Sequence, residues 1–346
     1  MDRLSVFATS RDNNFNLIRF GAALGVFISH CFPLSGYSVG GKPQLLGFLS
    51  LNVFFIISGF LVANSYFNNK STLGYLRARA LRIFPALVFS VLWSVFIVGA
   101  VFSTLSITEY LRESTVYEYL IKNILLILPS TPDQLPGVFL ESKYQPIVNA
   151  PLWSLPYEIW CYIILLVLGL ISSAHTNMKL FTLITFILFI VSFSIFVANY
   201  VLQTDQYALL LGKEAYRLGA MFLMGVCLYL FKEKIRLSHL IAFGIATSIA
   251  ISALYKPAFV AVFYASFGYL ILYLAYIPKG SIRYFNKLGD YSYGIYIFGY
   301  PVQQALEQIA PNLSLAAFFI YSFSVTLALA VTSWHLIEKR ALAYKA

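Results

Sequence analysis

Apolar runs of about twenty residues are the feature that most constrains this chain. A helical run of that length spans the hydrocarbon core of a bilayer, since an α-helix rises about 1.5 Å per residue. Ten such runs follow one another, and residues 105–150 form the longest stretch between them. The runs cover residues 14–33, 47–66, 83–104, 151–171, 180–201, 214–231, 238–254, 258–276, 291–309 and 315–337. The sequence therefore predicts an all-α, polytopic membrane protein of about ten transmembrane helices.

The overall composition supports a membrane protein. Hydrophobic residues make up 60% of the chain and charged residues 11%, whereas soluble domains average about 45–50% and about 25%. No long stretch has the polarity of a soluble domain. We therefore expect a single membrane-embedded domain over residues 1–346, with an outer loop at 105–150 and no fused soluble domain.

The distribution of lysine and arginine predicts the orientation. With both termini in the cytoplasm, sixteen of the 24 basic residues fall on the cytoplasmic side and seven on the outer side. Cytoplasmic loops of membrane proteins carry this excess of positive charge. The first apolar run is preceded by charged residues and is not closed by a small-residue cleavage site, so no cleavable signal peptide is expected.

The net charge of +10 does not indicate a nucleic-acid partner, because the basic residues are spread over many short loops. Cys31, Cys161 and Cys227 each lie in or beside an apolar run. They predict neither a disulfide framework nor a zinc site, and no metal is expected.

The outer loop divides into two parts. Leu120, Ile124, Leu125 and Leu128 recur at helical spacing, which favours an amphipathic helix on or in the membrane surface. Residues 131–151 are rich in proline and glycine and predict an ordered loop. A connection of this length is usually functional.

Two ionisable residues bracket part of the first run. Arg19 and His30 are eleven residues apart, so on a helix they share one face and stand about 16 Å apart along the axis. A snorkelling arginine and an interfacial histidine without chemistry are the plainer interpretations. The functional one makes His30 a general base, because an imidazole takes and returns a proton near neutral pH.

Other charged residues also have two interpretations. Glu158 lies in the fourth run; it either pairs with a loop cation such as Arg217, or orients His30 or contacts a polar acceptor. Arg79 and Arg82, three residues apart before the third run, share nearly one helix face. They either anchor the topology or hold phosphate, since guanidinium groups match phosphate oxygens.

A small pair, Ser58-Gly59, interrupts the second apolar run. Small residues let a second helix approach closely. Ser58 has no surrounding nucleophile motif, so the pair predicts close helix packing.

Five stretches in order resemble the acyltransferase-3 family of integral membrane acyltransferases, over nearly the whole chain. The stretches are Arg19 with ten spacers to His30, LNVFFIISGFL, Arg79-Ala80-Leu81-Arg82, VNAPLWSLPYE ending at Glu158, and GDYSYGIYIFGYP with IEKR. The loop before Glu158 is most similar to the bacterial branch that O-acetylates O-antigen and exopolysaccharide sugars. Two positions depart from the family pattern, because Gly299 stands where members often have histidine and Arg340 where proline is common.

The resemblance implies a function and a site. Such enzymes move acetyl from cytoplasmic acetyl-CoA to a glycan hydroxyl at or beyond the far side of the bacterial cytoplasmic (inner) membrane. Arg19, Arg79 and Arg82 would hold the donor phosphates, His30 would meet the thioester, and Glu158 would support the acceptor side. The implied partners are acetyl-CoA, a glycan or lipid-linked glycan, and membrane lipid.

Two other functions compete with acyl transfer. A transporter or flippase without catalysis would show two halves related by a repeat, and no such symmetry is visible. A binding or regulatory role is hinted at only by Gly299. The sequence leaves open the sugar and its hydroxyl, acetyl against another short acyl group, a covalent acyl-histidine against direct transfer, and the oligomeric state.

Overall fold

A computed structural model describes most of the chain. The described residues are 3–8, 10, 12–37, 42–68, 71–126, 133–203 and 211–344. Within these ranges no β-strand forms, and the extended contacts are two isolated bridges, Arg3–Arg236 and Ser103–Val138. The predicted all-α class is confirmed.

Each of the ten predicted runs coincides with a helix. The α-helices are α1 (Leu4–Ala8), α2 (Phe15–Leu34), α3 (Lys42–Asn68), α4 (Thr72–Trp93), α5 (Ala100–Phe102), α6 (Ile107–Arg112), α7 (Ser114–Leu125), α8 (Leu155–Ile171), α9 (Met178–Leu202), α10 (Lys213–Leu230), α11 (His239–Ser252), α12 (Lys256–Tyr276), α13 (Ser292–Ile309), α14 (Leu315–Ser333) and α15 (Lys339–Ala343). Short 3₁₀ segments cover Ala150–Ser154 and Ser281–Lys287, and π-helical turns cover Ser94–Gly99 and Trp334–Glu338.

Seven of the helices in the described ranges are long and apolar enough to cross a membrane. The other three predicted spans are weaker for separate reasons. Helix α11 has only 14 residues, whereas α10 and α13 have 18 residues each and carry charged or amide side chains. The protein is therefore a helical membrane protein, while the count of ten spans and the cytoplasmic termini stay predictions.

The chain forms two compact units. The first contains Met1–Arg19, Leu51–Thr72 and Trp160–Leu288, and the second contains Phe20–Ser50, Leu73–Ile159 and Gly289–Ala346. Each unit is assembled from segments that are distant in sequence.

In the first unit, α3 and α10 pack backbone to backbone. A Cβ atom added at Gly59 would collide with the carbonyl of Phe222, and one added at Gly225 would collide with the carbonyl of Ile56. The Ser58 hydroxyl lies 2.9 Å from the hydroxyl of Tyr162. The predicted packing role of the small pair is confirmed.

The N-terminal segment is fixed to one end of the first unit. The Leu4 amide donates to the Ile235 carbonyl at 2.8 Å. The Asn14 side chain donates to the carbonyls of Leu274 and Pro278, both at 2.9 Å. The N-terminus, the α10–α11 connection and the end of α12 thus lie together, which agrees with the predicted topology, where all three share one side.

Helix α13 forms the core of the second unit. Fourteen of its eighteen residues are buried. The Ser90 hydroxyl of α4 and the Asn149 amide both donate to the Ile297 carbonyl, at 3.1 and 2.9 Å. On another face, Gly294 lies against Ala330 of α14. Because α13 is enclosed by protein, its polar side chains face other groups rather than lipid.

The first part of the outer loop forms two helices rather than one. Ser106 and Glu109 form a capping box that starts α6, and the chain turns at Glu113 before α7. The buried face of α7 consists of Val116, Tyr119 and Asn123. Leu125 is 50% exposed, so it does not pack against the protein, and the predicted position of this apolar face on the membrane surface stays a prediction. Leu128 lies outside the described residues.

Candidate functional site

His30 lies one turn before the end of α2 and belongs to the second unit. Its side chain is partly exposed. The imidazole meets the ring of Tyr300 edge to face, with ring centroids 5.0 Å apart and planes at 88°. Among the described residues, no hydrogen bond or ion pair engages the His30 nitrogens. Tyr300 was missed by the sequence analysis, because no charge or spacing marks it.

Helix α13 packs against α2 beside this histidine. The Gln303 amide donates to the Phe27 carbonyl and to the Cys31 sulfur, both at 3.0 Å. One turn earlier, Gly299 faces the Phe27 ring so closely that an added Cβ would collide with it. A side chain at position 299 would collide with Phe27, which explains the glycine where family members often have histidine. The aromatic ring that contacts His30 belongs to the next residue, Tyr300.

The second part of the outer loop is fastened to α13. The Gln304 amide donates to the carbonyls of Gln145 and Ile147 at 2.7 and 2.8 Å. Its carbonyl oxygen accepts from the Ser142 hydroxyl at 2.8 Å. The bond from Asn149 to Ile297 secures the end of the same loop. The predicted ordered loop is confirmed for residues 133–149.

The fastened loop brings two further residues to this face of α13. Tyr144 lies between Ser142 and Gln145, which both bond to Gln304, and the Asp133 carbonyl accepts from the Val148 amide at 2.7 Å. The Tyr300 hydroxyl is buried one turn before Gln304, and no hydrogen bond of normal geometry engages it within the described part of the chain. On α7, burial, with smaller contributions from Tyr110 and Asp133, raises the pKa of Tyr119 far above its usual range.

Glu158 lies in the first turn of α8. The 3₁₀ segment before it is held to α13, because the Ser154 and Tyr296 hydroxyls are 2.6 Å apart and Tyr296 donates to the Pro151 carbonyl at 2.8 Å. A carboxylate in a first turn is stabilised by the helix dipole. No hydrogen bond or ion pair joins Glu158 to His30 in the described residues. The structure therefore does not bring these two predicted site residues into direct contact.

Arg82 on α4 is held by two carboxylates. Its guanidinium lies 2.7 Å from Asp290 and 3.6 Å from Glu338, and the three side chains are only 16%, 8% and 3% exposed. Hydroxyl groups support both acids, since Ser292 donates to Asp290 at 2.5 Å and Ser333 donates to Glu338 at 3.1 Å. Neither acid was assigned to a site from the sequence, although Asp290 lies two residues before α13, where a helix cap is expected, and it accepts from the Ser292 amide at 3.3 Å. Their signal was a lone carboxylate in each of the last two family-like stretches.

The remaining basic candidates lie on α2 and α4. Arg79 lies one turn before Arg82 on α4 and is partly buried, while Arg77 is exposed. Arg19 is partly buried on α2 and falls in the first unit. The predicted helix carrying Arg19 and His30 is confirmed, as is the common helix of Arg79 and Arg82.

Arg217 is the most deeply buried cation of the first unit, with 2% of its surface exposed. It donates to Glu214 at 2.8 and 2.5 Å and to the Asn52 side-chain oxygen at 2.7 Å. These contacts make it a structural residue of α3 and α10.

Comparisons with known proteins agree with this picture. A family model described as an acyltransferase domain matches residues 12–335. The chain is 29% identical over 350 residues to an O-acetyl transferase of Shigella phage Sf6, covering 96% of each protein. It is 28% identical over 355 residues to Nodulation protein 10 of Rhizobium leguminosarum bv. viciae, covering 95% of this chain and 93% of that protein. No solved structure matches the chain.

Proposed function

Because the chain belongs to the acyltransferase-3 family, we propose that it is an O-acetyltransferase of a bacterial surface polysaccharide. It moves acetyl from cytoplasmic acetyl-CoA to a sugar hydroxyl of O-antigen, exopolysaccharide or a lipid-linked precursor, in the bacterial inner membrane. The observation that carries the proposal is the state of His30. Its ring meets Tyr300 edge to face and is partly exposed, and no group among the described residues bonds its nitrogens.

Acetyl transfer to a hydroxyl group requires a general base at this position. The sugar hydroxyl oxygen attacks the thioester carbonyl carbon, the carbon–sulfur bond breaks, and CoA leaves. His30 takes the hydroxyl proton and returns it to the departing thiolate. On the alternative route a His30 nitrogen attacks the thioester carbonyl carbon, the carbon–sulfur bond breaks, and CoA leaves as a thiolate. The sugar hydroxyl oxygen then attacks the acetyl carbon, the carbon–nitrogen bond breaks, and the hydroxyl proton goes to the thiolate. Both routes require a ring nitrogen without a protein partner.

The donor phosphates are assigned to the basic residues of α2 and α4. Arg19 and Arg79 are partly exposed, and guanidinium–phosphate hydrogen bonds are among the strongest available to a protein. Arg82 belongs to the same predicted group, but two carboxylates already share its guanidinium. We therefore assign direct phosphate contact first to Arg79, and a positioning role to Arg82.

Glu158 is assigned to the acceptor side. The 3₁₀ segment before α8 continues directly from the outer loop, so Glu158 follows the part of the chain that meets Tyr300 and Gln304. A carboxylate accepts hydrogen bonds from sugar hydroxyls. The name of the Shigella phage relative, an O-acetyl transferase, supports an acetyl donor and an oxygen acceptor.

Transfer of label from radioactive acetyl-CoA tests the proposal. The purified protein is incubated in lipid nanodiscs with a panel of lipid-linked bacterial glycans, and the glycan fraction is counted. We expect alkali-labile acetate on at least one glycan, with stoichiometric release of CoA. Movement of unlabelled glycan across sealed vesicles without acetylation would instead identify a transporter and contradict the proposal.

A further inference from the structure

The hydroxyl of Tyr300 is a buried group that the protein leaves without a partner. The residue is 2% exposed, and its hydroxyl forms no hydrogen bond within the described part of the chain. Most buried polar atoms in native proteins are hydrogen-bonded, and each exception calls for an explanation such as an absent ligand or water. The nearby side chain of Gln304 is already used by the outer loop.

Tyr300 stands between the proposed base and the fastened loop. Its ring contacts His30 on one side. One turn further along α13, Gln304 bonds to Ser142 and Gln145 on either side of Tyr144, and the Asp133 carbonyl accepts from the Val148 amide of the same loop. Ile297, Tyr300 and Gln304 are spaced three and four residues apart, so they share the face of α13 that the loop covers. The unsatisfied hydroxyl is therefore placed where base and loop meet.

We infer that Tyr300, Asp133 and Tyr144 form the subsite that binds the acceptor sugar beside His30. The inference rests on the proposed function, because it names the part of that site that receives the glycan. The Tyr300 hydroxyl and the Asp133 carboxylate bond sugar hydroxyls. The Tyr144 ring, 48% exposed, offers an apolar face to the carbon–hydrogen face of a pyranose.

The chemistry of the subsite favours a sugar over the donor nucleotide. Asp133 is negatively charged and repels phosphate, whereas carboxylates accept hydrogen bonds from hydroxyl groups. Tyr300 also lies eight residues along α13 from Ser292, or about 12 Å, and the Arg82–Asp290 pair adjoins Ser292. The Arg82–Asp290 pair therefore lies about two turns away from Tyr300 along the same helix.

Direct binding measurements test the inference. The full-length protein in nanodiscs is titrated with a fluorescently labelled, lipid-linked O-antigen oligosaccharide, and separately with acetyl-CoA. Tyr300→Phe removes one hydroxyl, and we expect it to raise the glycan dissociation constant about fivefold. Asp133→Asn removes a charged acceptor and should raise it about tenfold. The acetyl-CoA dissociation constant should stay within twofold of the parent value in both.

Matched variants separate recognition from structure. Tyr276→Phe removes a hydroxyl from an equally buried tyrosine of the first unit, and Glu141→Gln neutralises an exposed carboxylate of the same loop. Both should bind glycan as the parent does. Tyr300→Phe should also melt at or above the parent temperature, because it removes a buried group with no partner. If Tyr300 were purely structural, Tyr300→Phe would lower the melting temperature and leave the glycan dissociation constant unchanged.

Each outcome decides one statement. If the parent acetylates glycan while both variants bind it normally, the subsite is wrong and the proposed function stands. The subsite is also wrong if the variants raise the acetyl-CoA dissociation constant instead of the glycan one, or if the parent binds no glycan. Weakened glycan binding in the variants of a parent that transfers no acetyl would support the subsite and overturn the proposed function.

Discussion

The beginning and the middle of α13 use their polar groups differently. At the beginning, the Arg82 guanidinium lies 2.7 Å from Asp290 and 3.6 Å from Glu338, and serine hydroxyls donate to both acids. One Glu338 oxygen faces this cation without a hydrogen bond in the described part of the chain. In the middle, the rings of His30 and Tyr300 touch, and the Tyr300 hydroxyl has no hydrogen bond within the described residues. The charged groups are therefore paired with one another, whereas the neutral pair is available to a ligand. Charge density alone does not locate the chemistry of this protein.

Two neighbouring arginines are assigned different roles. Arg79 and Arg82 belong to one sequence motif and one helix, yet Arg82 shares its guanidinium between two buried acids. One cation between two carboxylates leaves a negative balance, which disfavours phosphate.

Arg82→Ala should destabilise the protein strongly. It leaves two nearly buried carboxylates without their cation, and breaking a buried ion pair in this way costs about 3–5 kcal/mol. Chemical unfolding in mild detergent micelles measures the loss. Arg77→Ala on the exposed side of the same helix should change the unfolding free energy by less than about 0.5 kcal/mol. Equal stability of the two variants would show that the network is not structural.

Arg79→Ala should weaken the binding of acetyl-CoA without destabilising the fold. Loss of one charge-assisted contact with phosphate is worth about 1.5–3 kcal/mol, a roughly ten- to hundredfold increase in the acetyl-CoA dissociation constant. Isothermal titration with acetyl-CoA measures it, and glycan binding should not change. If the folded variant binds acetyl-CoA with unaltered affinity, Arg79 serves only to anchor the membrane topology.

Glu158→Gln should affect the acceptor step. The change keeps the shape of the side chain and removes its charge, so we expect glycan acetylation to fall about tenfold, or roughly 1.4 kcal/mol. Acetyl-CoA binding should remain near normal. Full acetylation by this variant would mean that the charge is unnecessary.

Gly299→Ala should have the smallest effect. The added methyl group meets the Phe27 ring, and moderate overpacking costs about 1 kcal/mol. The melting temperature should fall slightly. An unchanged melting temperature would show that Phe27 moves aside freely and that the family's histidine could be accommodated here.

The helices were predictable from the sequence because their apolar runs match the thickness of a bilayer. The close packing at Gly59 was predictable for a similar reason, since small residues in apolar helices have few other uses. The partners of Arg82 were not, because Asp290 and Glu338 lie more than two hundred residues away along the chain. Tyr300 and Gln304 also escaped notice, since their importance depends on a loop that returns to α13 from far away in the sequence.

The turnover rate of His30→Gln shows whether His30 carries the acetyl transfer. The variant is compared with the parent and with His335→Gln, an exposed histidine of the same unit, at saturating acetyl-CoA and glycan. We expect the kcat of His30→Gln to fall about 10²–10⁴-fold, the usual contribution of a general base. Its melting temperature and its acetyl-CoA dissociation constant should not change. His335→Gln should turn over like the parent. A correctly inserted His30→Gln enzyme that keeps more than about a tenth of the parent kcat would contradict the account, because that is well outside the range for a lost base.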